Sequence, residues 1–120
     1  MSTWNNITFL RTNFDDATKV LHDQVAIEMI NYAKARLYAY SDLSGNEVTR
    51  DNFEGDILKF KPQTVIALTH GNPEGLLSND GSTEFLSPAN SLTMLNRFGY
   101  FCACLAGKDL APLCVNNGAK

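Results

Sequence analysis

Short unbroken apolar runs alternate along this chain with stretches in which apolar residues recur three or four positions apart. Ile7-Thr8-Phe9-Leu10, Thr64-Val65-Ile66-Ala67-Leu68-Thr69 and Tyr100-Phe101-Cys102-Ala103-Cys104 are runs of the first kind. Rich in β-branched and aromatic residues and bounded by turn residues, they predict strands, the last two buried on both faces of a parallel sheet. Ala17, Val20, Leu21, Val25, Met29, Ala33 and Leu37 form one helical stripe, with Lys19, Asp23, Glu28 and Lys34 left to the surface. Asp15 and Asp16 suit the start of that helix, as a cap and as charges favoured at the positive end of its dipole. Leu37-Tyr38-Ala39-Tyr40 predicts a separate edge strand, because tyrosine is enriched in strands.

Ser44-Gly45-Asn46 breaks the chain. Thr49 or Asp51 can cap a second helix in which Phe53, Ile57 and Phe60 share a face and which Pro62 closes. Leu76 to Leu86 predicts a small hairpin turning at Asn79-Asp80-Gly81. Ser87-Pro88 then opens a helix carrying Leu92 and Leu95. A last helix is expected from about Asp109 to Asn116, stopped by Gly118. Alternation of this kind predicts a parallel α/β sheet with helices on both faces.

Composition adds limits. With 120 residues the chain is one domain, and 44% hydrophobic with 19% charged residues is ordinary for a globular protein. A net charge of −3 and ten scattered Lys and Arg residues argue against nucleic acid or an anionic membrane as the main partner. Three cysteines, none before residue 102, do not make a disulfide framework, so a reducing, cytoplasmic setting is expected. The N-terminus lacks the features of a signal peptide, and no stretch approaches a membrane span.

The candidate chemistry lies where two of the apolar runs stop. One runs into His70-Gly71, the other into Cys104-Leu105-Ala106-Gly107. Ligands of open α/β sheets sit beyond the carboxyl ends of the strands. Were these two strands parallel neighbours, ~5 Å apart, His70 and Cys104 would face one crevice. An imidazole and a thiol there are the minimum kit of a cysteine nucleophile with its general base. Gly71 would present an unhindered N–H, and the helix after Cys104 would favour a thiolate. Cys102 and Cys114 read instead as small buried hydrophobes. The spacing of the three cysteines, with no histidine near, fits no zinc site, and no phosphate-cradling loop is present, so no metal or cofactor is implied. His22 reads as a solvated surface residue, and Asn79-Asp80-Gly81 as a turn alone.

Together, Leu68-Thr69-His70-Gly71 and Ala103-Cys104-Leu105-Ala106-Gly107 give the chain a resemblance to the caspase-like cysteine peptidases, the fold of caspases, gingipains, clostripain, legumain, separase and CHAT domains. The hairpin at Asn79-Asp80-Gly81 and the segment Leu43 to Phe53 extend it, the latter closest to CHAT domains. The resemblance implies an α/β/α sandwich whose mostly parallel sheet has the order 2-1-3-4, with the hairpin standing apart above the crevice. It implies a cysteine endopeptidase in which Cys104 attacks the scissile carbonyl and His70 protonates the leaving amine. Gly71 and Cys104 would supply the oxyanion-hole N–H groups. No third, acidic member is required, and the substrate would be a protein or peptide. Arg11, Asn13, Ala103 and Asp109 are the expected substrate-binding positions, and Asp15, Asp16, Asp80 and Asp109 the acidic candidates for a pocket taking a basic residue. Family members continue into a fifth strand that helps to build that pocket. Residues 1–120 therefore read as the large part of a catalytic domain, and a further polypeptide is expected to complete the sheet and the pocket. Two other classes compete. A catalytically silent CHAT-like scaffold would have no reason to keep both His70 and Cys104, and a receiver-like domain needs an aspartate where His70 stands.

Overall fold

The computed structural model describes residues 6–72, 75–103 and 114–119. Cys104, Gly107, Asp109 and most of the expected last helix lie outside them. Four strands, β1 (Asn6–Arg11), β2 (Ala39–Ser44), β3 (Thr64–Leu68) and β7 (Phe98–Cys102), form an all-parallel sheet in the order β2-β1-β3-β7. This is the expected order 2-1-3-4, with the Leu37–Tyr40 segment contributing a strand that starts two residues later and runs on to Ser44. Between β3 and β7, β4 (Gly71–Asn72), β5 (Gly75–Leu77) and β6 (Glu84–Leu86) make a separate antiparallel sheet. The hairpin thus stands apart from the main sheet, with one short strand added to it.

Alternation along the strands divides the main sheet into two faces. Phe9, with Ile7 and Ile66 beside it, packs against Ile30 and Ala33 of the long helical segment. Leu10, Val65 and Ala67 face the other way, against Val48, Phe53, Ile57, Phe85, Met94 and Cys114. On this second face Asp56, in α3 (Arg50–Lys59), accepts hydrogen bonds from Thr8 of β1 and Ser41 of β2, the latter at 2.6 Å. The fully buried Thr8 hydroxyl is thereby satisfied.

The first helical stripe is corrected. α1 (Asp16–Val20) passes through a π-helical turn, Leu21–Val25, into α2 (Ala26–Ala35), and the N–H of Ala26 bonds the carbonyl of Leu21. One extra residue in a turn rotates everything after it by ~100°. Ala26 and Ile30 therefore join Ala33, buried as expected, whereas Val20, Val25 and Leu37 are exposed. His22 is corrected as well. Its ring is mostly buried, with Nδ1 2.7 Å from Asp23 and Nε2 2.6 Å from Ser44 Oγ.

Two further expectations change. Ser87-Pro88 opens a 3-10 segment, Pro88–Met94, kinked at Asn90. The Asn90 side chain bonds the Ser87 N–H and the Phe85 carbonyl, a local competition that breaks helix propagation. β7 is the terminal strand among the described residues, and Phe98 and Tyr100 are exposed, so it is not buried on both faces. Phe101 of that strand packs against the core.

Helix α2 ends in a Schellman motif, Leu37 N–H to the Lys34 carbonyl and Tyr38 N–H to that of Ala33. Leu37 holds φ +60° at 90% exposure, so a leucine occupies a left-handed position with no packing to offset its strain. Left-handed backbone costs an L-residue roughly 1–2 kcal/mol, against about 0.5–1 kcal/mol of glycine entropy. Leu37→Gly is expected to stabilise the fold by up to about 1 kcal/mol, read as a higher urea midpoint at unchanged slope.

Candidate active site

The carboxyl ends of β1, β3 and β7 are cross-braced before any reactive group is reached. Thr69, buried directly after β3, donates its N–H to the Cys102 carbonyl at 3.2 Å and its hydroxyl to the Leu77 carbonyl at 2.8 Å. The Thr12 hydroxyl donates to that of Thr69 at 2.9 Å, and the Thr12 N–H to the Leu68 carbonyl at 3.2 Å. Buried hydroxyls must be paired, and pairing these two locks β1 to β3 at the rim. His70 is the next residue, its carbonyl accepting from the Leu77 N–H at 2.9 Å. Gly71 follows in β4, opposite Leu76. Histidine and glycine thus stand on a fixed corner between the two sheets.

His70 Nε2 lies 2.7 Å from Asp15 Oδ2, with both side chains partly exposed. Asp15 is also the cap of α1: its Oδ1 accepts from the Thr18 N–H at 2.9 Å and the Thr18 hydroxyl at 2.8 Å. The Thr18 amide, then the Thr18 hydroxyl, and finally His70 hold this carboxyl below its usual range. An ionised carboxylate only accepts, so Nε2 carries the proton and Nδ1 is the nitrogen left for other work. Phe14 packs on the imidazole, ring centroids 5.5 Å apart. Phe14 in turn meets Gly81 at the hairpin tip, where φ is +76° and a Cβ would come within 3.1 Å of the ring. The turn at Asn79-Asp80-Gly81 therefore supports the histidine.

Asn79 adds another brace. Its Oδ1 accepts from the Asn13 N–H at 2.8 Å, and its Nδ2 donates to Asn46 Oδ1 at 2.9 Å. Asp80 holds the turn by accepting from the N–H groups of Ser82 and Thr83, and the Thr83 hydroxyl, then these two amides, lower its pKa to about 2. Arg11 ends β1 with its guanidinium on Asp42, at 2.9 and 2.8 Å, and on the His22 carbonyl at 3.0 Å. Its side chain is 11% exposed, so it braces β1 against β2 and the π-helical turn. Asn13 is exposed on the rim, and Ala103, partly buried, follows β7.

Leu68 is the register partner of Cys102 across β3 and β7. His70 and Cys104 are each two residues further along; Cys104 and Asp109 lie outside the described residues. An open cavity of about 470 Å³ is lined by Ala17, Leu21, Thr69, His70, Cys102 and Ala103. The sequence reading missed Asp15 as the partner of His70, although its capping signature was visible. No spacing rule links a helix cap to a histidine 55 positions away.

No family model matches the chain, and no curated protein or solved structure is significantly similar to it.

The Asp15 carboxyl binds its proton more weakly in the folded chain than in the unfolded one. Its contribution is therefore present above the ordinary carboxylate pKa and lost as pH falls through the lower, folded value. Asparagine caps helices about as well as aspartate, so Asp15→Asn keeps the cap and removes the charge together with the acceptor that faces His70 Nε2. In urea unfolding the variant should be less stable than the native chain at pH 7, and the difference should shrink as acidification takes the carboxyl below its ordinary titration range and protonates it.

Proposed function

We propose that this chain is a caspase-like cysteine endopeptidase in which Cys104 is the nucleophile and His70 its proton-transfer partner. The observation that carries the reading is the parallel pairing of β3 with β7 in the register Leu68↔Cys102. That pairing sets the strand end that leads into His70 beside the one that leads into Cys104. Supporting it, His70 stands at the rim on a doubly anchored corner, and its Nε2 is taken by Asp15. Nδ1 is then the nitrogen available for the reaction.

In this reading the Cys104 thiol first gives its proton to His70 Nδ1, and the thiolate adds to the scissile carbonyl, forming the S–C bond and an oxyanion stabilised by the N–H groups of Gly71 and Cys104. Collapse breaks the C–N bond as His70 Nδ1 gives its proton to the leaving amine. Water, deprotonated by the same nitrogen, then cleaves the thioester, releasing the carboxylic acid and restoring the thiol. Asp15 acts through His70 as a positioning residue, fixing ring orientation and tautomer and favouring the imidazolium that forms. This extends the His-Cys pair by an acidic member that the sequence reading did not require. The substrate is a protein or peptide, and a further polypeptide completing the sheet beside β7 remains part of the proposal.

The test is cleavage of a mixed peptide library by the full chain, read by mass spectrometry. Cys104→Ala and His70→Ala should abolish cleavage, whereas Cys102→Ala should retain turnover; an equal loss in both cysteine variants would show that the wrong thiol is named. Asp15→Asn should lower kcat roughly tenfold or more, with a smaller change in KM and an altered pH profile. Full activity of Cys104→Ala would overturn the reading.

A further inference from the structure

We infer that Ser44, His22 and Asp23 form a second reactive unit, a serine nucleophile that hydrolyses carboxylic esters and does not depend on the peptidase reading. Ser44 ends β2 level with Arg11 of β1 and, through it, with Leu68 of β3. It therefore stands on the carboxyl edge of the parallel sheet, where such sheets take their ligands. Its Oγ lies 2.6 Å from His22 Nε2, and His22 Nδ1 lies 2.7 Å from Asp23 Oδ1. The Asp23 carboxylate only accepts, so Nδ1 carries the proton and Nε2 keeps its lone pair for the Ser44 hydroxyl. Hydroxyl on Nε2 with Nδ1–H on a carboxylate is the order in which a serine is activated.

The surroundings fix this chain of bonds and leave it open to solvent. His22 belongs to the π-helical turn Leu21–Val25, a local irregularity that recurs at functional sites. Arg11, paired with Asp42, donates to the His22 carbonyl at 3.0 Å and so holds the backbone while the ring stays on Ser44. The Ser44 N–H is bound to Glu47 Oε1 at 3.1 Å. The His22 side chain is 14% exposed, which shields the base, whereas Ser44 is half-buried and Asp23 half exposed. Gly45 follows the serine in the left-handed region, φ +58°, and turns the chain sharply away from it. A Cβ there would come within 3.3 Å of the Asn13 side-chain amide, so glycine lets that amide approach the turn. The Gly45 N–H and the Asn13 amide are the donors nearest in place to meet an oxyanion formed at Ser44.

Ser44 Oγ adds to the ester carbonyl, forming a C–O bond as its proton passes to His22 Nε2. Collapse breaks the bond to the leaving alkoxide, which takes that proton and departs as the alcohol. Water, deprotonated by Nε2, then cleaves the acyl-serine, releasing the carboxylic acid and restoring the hydroxyl. Asp23 acts through His22 as a positioning residue. Half exposed, it is screened by water and supports the imidazolium less than a buried aspartate would. An alkoxide leaves more readily than an amine, so the substrate class is an ester and not a peptide bond.

Diisopropyl fluorophosphate on the full chain provides the first test. Oγ attacks phosphorus, the O–P bond forms, P–F breaks and fluoride leaves while His22 takes the proton; adducts are located by peptide mass mapping. Ser44 should react roughly a hundredfold or more faster than Ser82, an exposed serine of the hairpin turn, and His22→Ala should remove most of that advantage. Ser44 reacting no faster than Ser82, or equally fast in His22→Ala, would overturn the inference. The first comparison is made within the native protein, so it does not rest on any variant folding.

The second test uses p-nitrophenyl acetate with Cys104→Ala, in which that thiol contributes nothing. An acetyl group should be recovered on Ser44 after acid quenching, and adding Ser44→Ala should lower turnover about a hundredfold. Turnover indifferent to Ser44→Ala sinks the proposal. Asp23→Asn should slow Ser44 labelling about tenfold or more and move the downfield Nδ1 proton resonance of His22. An unmoved resonance with an unchanged rate would refute the triad. Neither test reads peptide cleavage, so failure of the peptidase reading and failure of this one are separate results.

Discussion

The parallel pairing of β1 with β3, from Ile7↔Thr64 to Arg11↔Leu68, is the constraint on which the rest of this fold hangs. A shift of one residue would exchange the two faces of either strand. Phe9 and Ile66 would then leave the side covered by α2, and Leu10, Val65 and Ala67 would leave the side packed by α3 and the small sheet. The register also fixes the rim. Thr12 reaches Thr69 only because Arg11 and Leu68 end their strands level with each other.

From that rim the candidate chemistry follows by short steps. Thr69 ties β3 to β7 through the Cys102 carbonyl and to β5 through the Leu77 carbonyl, so the next residue, His70, has little freedom. Its ring is then held from the side by Asp15 and packed by Phe14. Asp15 can do this because capping α1 has already fixed its carboxylate, one oxygen on Thr18 and the other on the imidazole. Helix capping and histidine orientation are therefore one interaction network. Disturbing the cap would disturb the site before it disturbed the core.

Much of the plan was legible in the chain. The apolar runs at 7–10 and 64–69 lie in or over β1 and β3, the run starting at Tyr100 overlaps β7, which begins and ends two residues earlier than read, at Phe98 and Cys102, and Thr49 caps α3 as its hydroxyl predicts. What misled was phase. A helical stripe read at constant spacing placed Val20, Val25, Ala33 and Leu37 inward; Ala33 is buried as read, but past the π-helical turn at Leu21–Val25 its buried companions are Ala26 and Ile30, and Val20, Val25 and Leu37 are exposed. Asn90 misled in another way, because its amide bonded backbone on both sides and stopped a helix that Ser87-Pro88 had opened.

Local chemistry, then, determined the elements, the parallel alternation and the placing of His70-Gly71 at a strand end, because periodicity, caps and turn residues act over a few positions. Tertiary structure alone decided which partners those residues met. It put Arg11 on Asp42, Asn79 between Asn13 and Asn46, and His70 on Asp15. It also made β7 the terminal strand among those described, with Tyr100 exposed. Such contacts join residues tens of positions apart, and only the three-dimensional register of the sheet brings them within hydrogen-bonding distance.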